Sequence, residues 1–259
     1  GLQRHFRMKN LQHNGLTKED IKSLLEENKG HACEGIGRDK ICVRIEAIAN
    51  LPSKYGQFQV VAFYNNSDNK EHGALIHGNV VDQEDVILRL HSECVTGDVF
   101  GSLRCDCHDQ LVTALRTIGK MKMGVLIYLR QEGRGIGFIN KIRAYALQEE
   151  GLDTKEANIA LGFHDDEREY SVAAHIIKSL KIKSVRLMTN NPQKIAEMKQ
   201  YGINVTERIP LIISPNKYNR FYLETKEKKF GHLLEGVAGR FQEQMDVAVF
   251  KKNSFKIKP

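Results

Sequence analysis

Hydrophobic and polar positions alternate differently in the two parts of this 259-residue chain. Near the start, "GLTKEDIKSLLEEN" sets Asp20 three residues after Thr17, a capping-box pattern that predicts a short helix. The glycine-bearing "KGHACEGIGRDK" behind it reads as a loop. From about residue 57 the texture changes. "FQVVAFY", "ALIHGNVV" and "DVILRLHSE" predict strands. In "DQLVTALRTIGK" the residues Leu111, Leu115 and Ile118 recur at helical spacing. "MGVLIYL" is a continuous apolar run, the mark of a strand buried on both faces.

"RQEGRGIGF" leads into a predicted helix, "INKIRAYALQEE", whose inward stripe is expected at Ile139, Ile142 and Ala146. A loop follows, then a helix "SVAAHIIKSL", a strand "SVRLM", a turn "TNNP", a helix "QKIAEMKQ" and a strand "NVTERIP". Asn191 is the expected N-cap of that last helix, with Pro192 at its first position. Alternation of strand and helix through the second half predicts an α/β core. A further helix is expected in "YLETKEKKFGHLLEG", and no internal repeat is visible.

Charge adds a partner class. The formal net charge is +7, with much of the excess in "RHFRMK" and "FKKNSFKIKP". Basic tails alone account for this, or an anionic ligand does; aromatics interleaved with basic residues, as in nucleic-acid readers, are not seen, so no nucleic acid is expected. No apolar run approaches the roughly 18 residues needed to span a bilayer, and no leader pattern opens the sequence, so a cytoplasmic protein without a membrane partner is expected.

The cysteines carry the candidate chemistry. Five are present, and Cys94, Cys105 and Cys107 form C-x₁₀-C-x-C. An odd count with a C-x-C pair does not read as a disulfide framework. Cys33 and Cys42 read as unrelated structural residues. Three grouped thiols are one short of a closed structural zinc site and match a catalytic site with an open position. His91 and His108 are each a possible fourth ligand, so a closed site stays open as an alternative. Cys105 and Cys107 open the helix containing Leu111, where backbone N–H groups favour thiolates.

On "VILRLHSE", Val86, Leu88 and Leu90 face one way and Arg89, His91 and Glu93 the other, the alternation of a half-buried strand. "QEGRGIG" puts glycines and Arg134 between a strand and a helix, where backbone N–H groups can approach an anion. "TNNPQK" places Thr189 and Lys194 beside a helix N-terminus, which serves either as a simple cap or as a phosphate seat. "FHDDEREY" surrounds Arg168 with acids, either as an exposed charge cluster or as a catalytic Asp–Arg pair.

Together "RLHSECVTGDVFGSLRCDCHDQL", "YLRQEGRGIGFINKIRAYALQEEGLDTKEAN", "LGFHDDEREY" and "RLMTNNPQKI" resemble the GTP cyclohydrolase II family, from about Leu51 to Leu234, roughly 70% of the chain. The resemblance implies a mixed α+β domain over residues 51–235, with a mixed sheet and flanking helices. It leaves residues 1–50 as an extension and 236–259 as a basic tail.

It also implies hydrolysis of GTP to formate, pyrophosphate and 2,5-diamino-6-ribosylamino-4(3H)-pyrimidinone 5′-phosphate, the first step of riboflavin biosynthesis. One Zn²⁺ per chain would be held by Cys94, Cys105 and Cys107, and Mg²⁺ would accompany the triphosphate. Positions matching Arg89, Leu90, His91, Ser92, Glu93, Gln110, Glu132, Gly133, Arg134, Thr154, Thr189 and Lys194 contact GTP in the family. Asp166 matches a proton acceptor, Arg168 a nucleophile, and Tyr145 a tyrosine beside the reacting water.

A guanidinium stays protonated at neutral pH and so makes a poor nucleophile, which leaves a transition-state clamp as an equal reading for Arg168. The family's members are generally homodimers. "HD" follows the thiol pair here where the family usually has glycine. Alternative outcomes within the resemblance are a formamide product, another purine nucleotide, or a silent nucleotide-binding protein with structural zinc.

Overall fold

The structure, a computed structural model, describes residues 15–29, 41–68, 70–164, 168, 170–211 and 213. The expected helix in residues 222–236, both basic termini, Cys33 and Asp166 lie outside the described residues.

Helix α1 (Lys18–Asn28) begins with the expected box: Thr17 Oγ1 accepts from the Asp20 amide, and Asp20 accepts from the Thr17 amide. Strands β1 (Val43–Ser53), β2 (Gly56–Asn65) and β3 (His72–His77) form an antiparallel meander. β1 went unpredicted, and it crosses the boundary drawn at residue 50, so the sheet includes the end of the segment read as an extension.

The parallel half is built from β4 (Val86–Ser92), β5 (Gly124–Leu129), β6 (Val185–Met188) and β7 (Val205–Ile209). Among the described residues one seven-stranded mixed sheet results, in the order β1-β2-β3-β5-β4-β6-β7. Only antiparallel pairs can be joined by tight turns, so each parallel pair needs a crossover. Helix α3 (Cys107–Ile118) takes the chain from β4 to β5, and α7 (Pro192–Gln200) from β6 to β7. Helices α4 (Gly137–Glu149), α5 (Thr154–Ala160) and α6 (Ser171–Ser179) lie between β5 and β6.

The sheet separates two apolar layers. Leu88, Leu90, Val125 and Ile127 pack with Ile176 and Ile177 of α6 on one face. Ile87 and Leu126 pack with Ala114, Leu115 and Ile118 of α3 on the other. Each such side chain, fully buried, contributes about 1.5–3 kcal/mol of transfer free energy. β4 is therefore buried on both faces rather than half-buried, because α3 covers the side that carries Arg89 and His91.

β4 is also where the chain changes direction. Its neighbours β5 and β6 are reached by connections on opposite faces, which opens a crevice at the carboxyl ends of the parallel strands.

Two expectations for the segment after β5 are corrected. The stripe Ile139, Ile142 and Ala146 faces outward, with Ile139 68% and Ile142 43% exposed; α4 buries Lys141 and Ala144 instead. The inner face of this helix looks onto the crevice, so polar chemistry displaces the apolar stripe. The expected loop contains α5, capped by a second box in which Asp153 accepts from the Lys155 and Glu156 amides.

Candidate active site

The carboxyl ends of β4, β5 and β6 surround a cavity of about 360 Å³, within the range of small-molecule sites. Cys94 follows β4 and caps the short helix α2 (Val95–Asp98), while Cys105 and Cys107 sit at the start of α3. Their three sulfurs lie within 4.8 Å of one another. A tetrahedral zinc with Zn–S of about 2.3 Å sets its sulfurs about 3.8 Å apart, and Cys94 Sγ stands 3.8 Å from Cys105 Sγ. The donor set and spacing therefore fit zinc.

Gly97 makes room for the cluster. A Cβ there would meet Cys105 Sγ at 2.8 Å and Cys94 Sγ at 3.2 Å. Among the described residues no histidine joins the thiols. His108 is exposed and bonds the Asp98 carbonyl at 3.2 Å. His91 turns its Nε2 to the Asp98 carboxylate at 3.0 Å.

Charge at the thiols is unequal. Hydrogen bonds from Cys105 and Cys107 hold the Cys94 thiol far below its ordinary pKa, and Lys141 adds to the effect. Cys105 is pushed up to about 11: its bond with Cys107 pulls downward, but the bond to Cys94, burial and the Cys94 charge outweigh it. Cys107 is raised by its bonds to Cys105 and Cys94 and by burial. Lys141 Nζ donates to Cys94 Sγ at 3.0 Å.

The remaining expected residues gather on the same cavity. Arg89, His91, Ser92 and Glu93 come from the end of β4, and Gln110 from α3. Arg89 is 5% exposed. It donates to the Met188 carbonyl at 2.9 Å and to Gln110 Oε1 at 2.6 Å, and burial pulls its pKa down to about 10. His91 is stacked on Tyr128, and burial lowers its pKa although Asp98 opposes this. Its Nδ1 is buried with no hydrogen-bond partner among the described residues.

Glu132, Gly133 and Arg134 form a 3₁₀ turn after β5, in which Gly133 and Arg134 both have φ near +60°. For arginine that backbone is strained, a feature that concentrates at ligand sites. Tyr145 on α4 reaches Thr96 Oγ1 at 3.3 Å, with Arg104 stacked 4.3 Å from its ring; burial raises the Tyr145 pKa. Thr154, Arg168, Thr189 and Lys194 also line the cavity. Asn191 caps α7 as expected, accepting from the Gln193 amide at 2.9 Å, and the Asn191 amide donates to Thr189 Oγ1.

Leu90 departs from the set: its side chain lies in the core, and only its carbonyl serves the site, accepting from Lys194 at 3.2 Å. Asp166 lies outside the described residues. Sequence reasoning missed Asp98, Arg104, Tyr128 and Lys141. Asp98 accepts from Tyr128 at 2.7 Å and from the Cys94 amide at 3.1 Å, so it ties β5 and His91 to the first thiol. The available signal was position: Arg104 precedes a cysteine directly, and Asp98 lies between two.

A thiol cluster that fits a water-activating ion, set among cationic side chains at the ends of parallel strands, defines the class: a hydrolase acting on an anionic ligand. The sequence profile of the GTP cyclohydrolase II family matches residues 44–210. GTP cyclohydrolase-2 of Picrophilus torridus is 54% identical over 186 residues, covering 72% of this chain and 96% of that one. GTP cyclohydrolase-2 of Histophilus somni strain 2336 is 56% identical over 192 residues, covering 74% and 89%. That of Haemophilus influenzae strain PittGG is 54% identical over 193 residues, covering 74% and 89%. The chain belongs to the GTP cyclohydrolase II family, zinc-dependent hydrolases of the first step of riboflavin biosynthesis.

Proposed function

We propose that this cavity takes GTP to formate, pyrophosphate and the ring-opened pyrimidinone phosphate, with its residues in the following roles. Cys94, Cys105 and Cys107 would hold one Zn²⁺, which would supply Lewis-acid activation of water for hydrolysis at the imidazole carbon of guanine. Tyr145 orients that end of the ligand: its ring is clamped by Arg104, and its hydroxyl projects beside the thiols through Thr96. Asp166, by its match to the family, accepts the proton.

The triphosphate is assigned to the cationic side. Arg134, Arg168 and Lys194 line it, and Thr189 adds a hydroxyl near the N-terminus of α7. Arginine suits this task through its forked donors, and Mg²⁺ accompanies the phosphates. Arg168 acts as a clamp on the departing pyrophosphate, since a guanidinium does not give up its proton near neutral pH. His91 offers its buried Nδ1 to the ligand, and Glu93 accepts from the amino edge of guanine. Gln110 and Arg89 brace one another at the wall, and Thr154 closes the far side.

The assembly is read as a homodimer. Val99, Phe100 and Leu103, in the stretch between α2 and α3, are exposed, as are Ile139 and Ile142 of α4. Arg104 links that stretch to α4 through Tyr145 and Glu149, so these apolar side chains belong to neighbouring segments. Reduced thiols suit the cytoplasm. Among the described residues no helix is long and apolar enough to cross a membrane.

The observation that carries the reading is the thiol cluster lining a cationic cavity. Cys105→Ser tests it: zinc content and ring opening should disappear together. Full turnover with zinc absent contradicts the assignment.

A further inference from the structure

Lys141 is a buried cation that the roles above do not use. It is 8% exposed, and its ammonium lies 3.0 Å from Cys94 Sγ and 2.8 Å from Glu132 Oε1. Glu132 is itself fixed on both oxygens. Oε1 also accepts from the Gly133 amide at 2.8 Å, and Oε2 accepts from the Val95 amide at 2.6 Å. A carboxylate engaged in this way by three protein donors serves as a brace.

The surrounding chain is shaped to put Lys141 there. α4 turns Lys141 inward while leaving Ile139 and Ile142 outside, the reverse of what apolar burial alone selects. A Cβ on Gly133 would stand 3.1 Å from Lys141 Cβ, and the residue has φ +61°, so glycine is favoured where the turn passes over the lysine stem.

We propose that Lys141 is a positioning residue for the metal centre: it donates a charge-assisted hydrogen bond to the Cys94 sulfur and, braced by Glu132, sets how much electron density that sulfur gives the ion. The inference rests on the reading that the three thiolates hold zinc. Three thiolates and one divalent cation sum to −1, and each added thiolate weakens the ion as a Lewis acid. A sulfur that shares its lone pairs with an N–H donor is a poorer donor to the metal, which restores part of the ion's acidity. Glu132 also ties the turn after β5 to the chain after Cys94 through the Val95 amide, and to α4 through Lys141.

The test uses the full chain loaded with cobalt(II), whose sulfur-to-cobalt charge-transfer band reports sulfur donor strength without turnover. In Lys141→Met the band should move to longer wavelength, because the sulfur becomes the stronger donor. Lys141→Arg keeps an N–H donor and should hold the band near its original position. Glu132→Gln should shift it in the same direction as Lys141→Met, but less. Should Lys141→Met fail to fold, the Lys141→Arg and Glu132→Gln bands decide. A band that stays in place in Lys141→Met, or in Glu132→Gln when that variant decides, overturns the proposal. An unsubstituted chain that takes up no cobalt overturns instead the metal reading beneath it.

Discussion

Replacing Gly97 with alanine tests the thiol cluster without removing any of its atoms. The added methyl would stand 2.8 Å from Cys105 Sγ, 3.0 Å from Cys107 Cβ and 3.2 Å from Cys94 Sγ. Ordinary contact between such atoms is about 3.5–4.0 Å, so Cys105 Sγ must retreat by roughly 0.7 Å or more. Zinc sites hold their ligand distances to about ±0.2 Å, and a displacement of that size breaks the set. Overpacking of this kind costs about 1–3 kcal/mol, and each 1.4 kcal/mol taken from metal binding is about tenfold in affinity. Gly97→Ala should therefore bind zinc about 10- to 100-fold more weakly, measured by competition against a chromophoric chelator.

Gly101→Ala is the control in the same stretch: its φ of +68° makes alanine strained, but nothing lies within 4 Å. It should lose stability without losing zinc affinity. If Gly97→Ala binds zinc as tightly as the unsubstituted chain, the three sulfurs do not converge on one ion and the reasoning fails.

Arg168→Ala should stop pyrophosphate release while zinc stays bound, read by product chromatography and metal analysis; near-normal release removes Arg168 from the reaction. Burial lowers the pKa of His72, with Asp68 opposing, and likewise of His91. Folded values below about 6.5 mean that the unfolded chain takes up these protons first, so stability is complete above that pH and falls below it by up to about 1.4 kcal/mol per pH unit for each histidine. Urea unfolding at several pH values should show this slope, reduced in His72→Gln; an equal slope in that variant contradicts the assignment. Ile142→Glu should convert a dimer to a monomer in sedimentation, whereas an unchanged dimer places the interface elsewhere.

What the sequence made legible was whatever depends on local spacing. The Thr17–Asp20 and Asn191–Pro192 caps, the continuous run of β5 and the apolar spacing of α3 all report neighbours a few residues apart. The thiol cluster was legible for the same reason, since a tight loop must bring C-x₁₀-C-x-C together. Legibility failed where a tertiary surface overrode the pattern. Ile139 and Ile142 read as core, and Lys141 was missed, because nothing in a helical repeat says that its inner face looks onto a polar cavity. The bond from the Val95 amide to Glu132 was hidden because the two lie 37 residues apart in the chain. α5 was the exception: the Asp153–Glu156 box announced it in plain sequence, and the pattern simply went unread.

The most direct measurement is the product balance after incubation of the zinc-loaded chain with GTP. One formate and one pyrophosphate for each GTP consumed, together with the diaminopyrimidinone phosphate, is the result this account predicts. GTP recovered intact, or a ring-opened product that keeps its formyl group, contradicts it.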